Sequence, residues 1–165
     1  MAIATRDGNI QVFEADSGRA VGAVMAHSVG DEPRMTGMSF HPDGRLLASC
    51  SYSQIIIWDT IHAKMKSRFS TRPGGLATCV KHFAQGTKLA AANYGDPGYG
   101  FTFFDAETGK LIAQGMVTSH ESVKAWDMAF PDSEDPVIVI AAEEMLYECR
   151  YSAVIGKKPG IKVIR

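Results

Sequence analysis

An aromatic residue followed directly by an acid recurs at nearly equal spacing: Phe13-Glu14, Trp58-Asp59 and Phe104-Asp105. The steps are 45 residues from Phe13 to Trp58 and 46 from Trp58 to Phe104. A fixed period of this length marks one supersecondary unit stacked on the next. The unit is clearest between Met35 and Phe69. Met35 to Phe40 predicts a first strand, ending at the turn His41-Pro42-Asp43-Gly44, in which Pro presets φ and Gly accepts a positive φ. Arg45 to Ser51, Gln54 to Thr60 and Lys64 to Phe69 predict three more strands. Short β-rich runs separated by turn chemistry form an antiparallel meander.

The other copies repeat the pattern. First strands return at Leu76 to Phe83 and at Val123 to Phe130, each ending in an aromatic before a polar turn, as at Phe40. Second strands return at Lys88 to Ala92 and Val137 to Ala141. The turn into the fourth strand recurs as Asp16-Ser17-Gly18 and Glu107-Thr108-Gly109. The first copy lacks a first strand: Ala2 to Thr5 fits the second, Ile10 to Phe13 the third and Arg19 to Met25 the fourth. The last copy is degenerate, with Met145 to Cys149 and Ile161 to Ile164 as its third and fourth strands. Blades of a β-propeller have a period of about 40–45 residues. The predicted class is therefore all-β: a propeller segment of about four four-stranded antiparallel blades, near residues 1–28, 33–70, 75–118 and 122–165, the first incomplete. They form one propeller domain or partial propeller over residues 1–165.

The stretch from Phe40 to Thr60 resembles a consensus blade of the WD40 family, and the blade pattern covers nearly the whole chain. Trp58-Asp59 stands where that family has its signature dipeptide. His27 and His120 stand where it has the histidine of a Gly-His pair, although neither follows a glycine. The resemblance implies a buried hydrogen-bond set of Asp, His, Ser or Thr, and Trp. His27, Ser51, Trp58, Asp59 and His120 are the structural residues it assigns here, with Tyr52-Ser53 in place of the expected turn acid. Trp126-Asp127 lies in a first strand and is not a second signature.

A blade buries its faces against its neighbours. The resemblance implies rings of about seven, against four copies here. Three closures are open: a small four-blade ring, a larger ring finished by another chain or a second copy, or a piece of a longer protein. The last two are favoured, because the family's blades are shaped for wider rings.

Charge and chemistry narrow the function. Lys plus Arg is 17 and Asp plus Glu is 18, which argues against nucleic acid as the main partner, since phosphate binding needs a basic excess. No apolar run reaches the length of a membrane span, and the start turns polar too early for a signal peptide. Cys50, Cys79 and Cys149 lie in apolar strand-like stretches, pointing to buried reduced thiols and an intracellular site, cytoplasmic or nuclear. Cys79 and His82 are three apart on a strand and face opposite ways, so no metal is expected. No cofactor is expected either. Asp127 with His120 and Ser122, or Asp43 with His41, is close in sequence, but convergent catalytic geometry comes from separate elements.

Loops are then the candidate contacts. Asp96 and Tyr99 lie in the run Gly95-Asp96-Pro97-Gly98-Tyr99-Gly100, read as a hairpin loop longer than its equivalents. Asp31 and Arg34 lie in the mixed-charge linker between the first two copies, and Arg72 in the next linker. Arginine is enriched at interface hot spots. The basic tail, Lys157, Lys158, Lys162 and Arg165, fits an edge strand guarded by lysine. The expected function is a non-catalytic scaffold that binds other proteins within a multiprotein complex. The partner is a peptide motif or another subunit, or else the rest of its own propeller or a homo-oligomer. The alternatives are a propeller enzyme with a channel site, or a peptide-binding propeller of the mitotic-checkpoint and mRNA-export type, whose echo includes Ala90-Ala91-Ala92-Asn93-Tyr94.

Overall fold

The computed structural model describes residues 1–5, 7–27, 35–51, 54–71, 76–95, 98–118, 125–129, 137–142, 145–152 and 162–164. The described strands form four antiparallel meanders. The first holds β1 (Ala2–Ala4), β2 (Asn9–Phe13) and β3 (Ala20–Ala26). The second holds β4 (Met35–Phe40), β5 (Leu46–Ser51), β6 (Gln54–Asp59) and β7 (Lys64–Ser70). The third holds β8 (Leu76–Phe83), β9 (Lys88–Gly95), β10 (Gly98–Asp105) and β11 (Leu111–Thr118). The fourth holds β12 (Ala125–Ala129), β13 (Val137–Ala142), β14 (Met145–Arg150) and β15 (Lys162–Ile164). We call these blades one to four. No described helix is long and apolar enough to cross a membrane.

Stacking explains why the middle strands read as continuous apolar runs. Leu47 pairs with Trp58 and Ala48 with Ile57, so alternate residues of β5 and β6 face opposite neighbours. Leu47, Ile56 and Trp58 pack with Ile10, Val12 and Met25 of blade one. Ala48, Cys50, Ile55 and Ile57 pack with Ala77, Val80, Leu89, Ala91 and Phe104 of blade three. A strand buried on both faces shows no polar alternation, whereas the outer strand β7 is exposed over residues 64–66 and then alternates half-buried Ser67 and Phe69 with exposed Arg68 and Ser70. Each fully buried aliphatic or aromatic side chain contributes about 1.5–3 kcal/mol, so these seams carry much of the stability. On the far side of blade three, Phe83 and Phe103 both meet the Tyr151 ring edge-on, at 5.3 and 5.0 Å between centroids.

The repeated acid has a local task. Asp105 Oδ1 accepts the Thr108 backbone N–H at 2.8 Å, and Asp59 Oδ1 accepts those of Ile61 and His62 at 3.0 and 2.9 Å. Glu14 instead accepts the Ser17 hydroxyl at 2.6 Å and pairs with Arg19. Each acid thus closes the turn into an outer strand. Gly18 and Gly109 take φ of 67° and 69° in these turns, a left-handed region that favours glycine.

The glycine-rich run departs from expectation. β9 and β10 stay paired to the tip, with Gly95 opposite Gly98 and Tyr94 opposite Tyr99. The run is mostly strand, because the ladder extends past Ala92 and only residues 96–97 separate the paired ends.

Candidate functional site

The most developed polar constellation lies at the seam between blades one and two. His27 follows β3, and its backbone N–H bonds Gly8 O at 2.8 Å. Its imidazole is fully buried between two serines of β5: Nδ1 lies 2.6 Å from Ser49 Oγ, and Nε2 lies 2.7 Å from Ser51 Oγ. Trp58 on β6 donates its indole N–H to Ser49 Oγ at 2.7 Å. One assignment satisfies every group: Ser49 accepts from Trp58 and donates to Nδ1, while Nε2–H donates to Ser51. The imidazole is then neutral, in keeping with a pKa pushed down to about 4 by burial and by the nearby Arg68 charge. A buried neutral histidine whose two nitrogens are both bonded holds elements together and has no lone pair left for chemistry.

A second seam joins blades two and three through their innermost strands. The His82 backbone N–H donates to Ser39 Oγ at 2.9 Å, and His82 Nδ1–H donates to Ser39 O at 3.1 Å. Thr36 Oγ1 donates to Ala77 O at 2.6 Å. His41 stacks edge-on against His82, 5.4 Å between centroids, and pairs with Asp43 at 2.8 Å. Burial and the His41 charge push the His82 pKa down to about 4. Among the described residues no group of three histidines, cysteines or acids is placed to hold a metal ion.

No family model matches the chain, and no curated protein matches its sequence. Solved structures match its shape. The structure of U3-55K superposes with a TM-score of 0.75 at 16% identity, covering 99% of this chain and 47% of that one. The crystal structure of the RRP9 WD40 repeats superposes with a TM-score of 0.76 at 16% identity, covering 99% of this chain and 46% of that one. The fold is that of WD40 propeller blades. The chain spans about half the length of these two structures.

The hydrogen-bond set that the resemblance implied takes a definite form in blade two. Ser49, which sequence reasoning did not single out, bridges His27 and Trp58, while Ser51 takes the other imidazole nitrogen. Register decides this. Leu47 faces Trp58, so the next residue on that face is Ser49, and Ser51 lies one further step away. Asp59 stands outside the network and closes its turn. In blade three the equivalent positions are Ala91 and Phe104, because Leu89 pairs with Phe104 as Leu47 does with Trp58. Replacing both partners with apolar groups leaves nothing unsatisfied there.

The expected contact residues are less visible. Asp31, Arg34, Arg72 and Asp96 lie outside the described residues, as does His120, which was expected in a structural role. Tyr99 sits near the start of β10, paired with Tyr94 and Thr118, on a strand rather than in a free loop.

Proposed function

We infer that residues 1–165 serve as part of a WD40 propeller scaffold that binds other proteins within a multiprotein assembly, without catalysing a reaction. The observation that carries this reading is that polar side chains at both described seams bond from one blade to the next. His27, Ser49, Ser51 and Trp58 bond one another across a seam, and Thr36, Ser39 and His82 bond across the next. Such groups fix blades in place and leave recognition to loops and edges. The match to about half of each longer propeller fits a chain that works with further blades. Asp31, Arg34, Arg72, Asp96 and Tyr99 are the proposed contact residues. Cys50 and Cys79 are buried within the seams, which fits a reducing intracellular compartment, cytoplasmic or nuclear.

Purification from the native source with light scattering and identification of co-eluting chains tests this. The expected result is a stoichiometric partner that is lost on Asp31→Arg, Arg34→Glu and Arg72→Glu with the unfolding midpoint unchanged. A stable monomer with no stoichiometric partner would refute it.

A further inference from the structure

The two seams of blade two share one register and differ in what stands at one level. Phe13 and Trp58 occupy equivalent places in their blades, and so do Asn9 and Gln54, which pair with Ala26 and Ser70. Thr71 therefore follows β7 as His27 follows β3. Across the second seam Leu89 is the equivalent of Leu47, so Ala91 and Asn93 take the places of Ser49 and Ser51. At the first seam His27 Nε2 meets Ser51 Oγ directly, at 2.7 Å. At the second seam the corresponding pair is Thr71 and Asn93.

Both side chains belong to the contact between blades two and three. Phe69 of β7 packs on the core that Leu89 and Ala91 line, and Thr71 and Asn93 are the next residues on those two faces. Each is 4% exposed. The Asn93 amide turns along its own blade and donates from Nδ2 to Thr102 Oγ1 at 2.5 Å. Among the described residues, Thr71 Oγ1 and Asn93 Oδ1 are buried side-chain atoms with no hydrogen-bond partner. Two polar groups thus face each other from opposite blades without reaching each other.

A buried polar group without a partner is costly, and folded proteins satisfy most such groups. Internal water does so where the place is polar and roomy enough. Threonine is much smaller than histidine, and Phe104 is smaller than Trp58, so side chains fill less of the second seam at this level than of the first. The donor set selects water over an ion. A hydroxyl and a primary amide are both neutral, and among the described residues no group of three histidines, cysteines or acids is placed to hold a metal.

We propose that the seam between blades two and three binds one internal water molecule, held between Thr71 Oγ1 and Asn93 Oδ1 at the level that the His27 imidazole takes at the seam before it. Asn93 Oδ1 only accepts, so the water donates one hydrogen to it. The Thr71 hydroxyl accepts the other hydrogen or donates to the water oxygen. Blade two is then joined to blade one by a direct side-chain clasp, and to blade three at the same level by a bridge through water. Such a bridge is nearly as favourable as a direct hydrogen bond.

The deciding variant is Thr71→Val in the whole chain, which keeps the branched shape of threonine and removes the hydroxyl. The sign of its effect separates the two states of the seam. If the hydroxyl holds the water, the substitution releases it and strips Asn93 Oδ1 of its partner, and Tm falls by about 2–6 °C. If the hydroxyl is buried and unbonded, its removal raises Tm. Oxygen-17 relaxation dispersion, which counts long-lived internal waters in solution, should give one fewer for Thr71→Val than for the parent. A high-resolution crystal structure of the unchanged protein should show one water oxygen within about 3.2 Å of both atoms, and this measurement decides the matter if Thr71→Val fails to fold. An equal water count in the two proteins, a raised Tm in Thr71→Val, or a crystal structure with no water between the two side chains overturns the proposal.

Discussion

Replacing Ser49 with alanine removes the hydroxyl at the centre of the blade-two network. Two buried groups then lose their partner: the Trp58 indole N–H, bonded at 2.7 Å, and His27 Nδ1, at 2.6 Å. An unsatisfied buried donor or acceptor costs about 1–3 kcal/mol. The methyl of alanine fills nearly the same space, so the cavity contribution is small. The expected loss is about 3 kcal/mol, and for a chain of this size that lowers Tm by roughly 6–12 °C. The assay is thermal unfolding by circular dichroism, with urea midpoints for confirmation. A double-mutant cycle isolates the cause. Trp58→Phe takes away the indole donor, so Ser49→Ala added to it leaves fewer orphaned groups. The double variant should fall short of the summed losses by about 1–2 kcal/mol. A loss below about 0.5 kcal/mol in Ser49→Ala, or strict additivity in the cycle, would refute the bridging role of Ser49.

Acid should weaken the fold. An unfolded histidine binds its proton near pH 6.5, whereas folded His27 and His82 hold off until about pH 4. The unfolded state therefore gains protons first, and stability, full above about pH 6.5, falls as pH drops towards 4, by roughly 1 kcal/mol per unit for His27. Urea midpoints measured from pH 7 to pH 5 should decline, and His27→Gln should flatten the slope; an unchanged slope counts against the buried neutral imidazole. Gly37→Ala should cost about 1–3 kcal/mol, because the new Cβ would stand 3.1 Å from Cys79 Cα and 3.3 Å from Cys50 Sγ in the packed seam. An unfolding midpoint equal to the parent's would show that the seam opens freely. The Cys50 thiol, pushed up to about 12 chiefly by burial, should react with thiol reagents at the rate of unfolding, and rapid labelling of the folded protein would contradict its placement.

Local chemistry made much of this molecule legible in its sequence. Turn residues and the aromatic-acid step announce the period, and the strands fall close to their expected places. Met35–Phe40 matches its predicted span, and the turn at Glu107-Thr108-Gly109 closes as its residues require. These signals survive in one sequence because each acts within a few residues. Asp105 bonds Thr108, three positions on, and glycine meets the left-handed φ of its own turn. The expectation of an extended loop at Gly95 to Gly100 missed for a related reason: glycine and proline are local punctuators, but the ladder between β9 and β10 extends to Gly95 and Gly98 by pairing.

The sequence by itself therefore determined the repeat, the order of strands within each blade and the chemistry of its turns. Tertiary structure alone decided which serine bridges His27 to Trp58 and which faces of β5 and β6 meet which neighbour. The physical reason is range. His27 and Ser49 are 22 residues apart and Ser39 and His82 are 43 apart, and such groups meet only after whole blades have stacked. Residue type offers both Ser49 and Ser51 as partners; register and stacking choose between them.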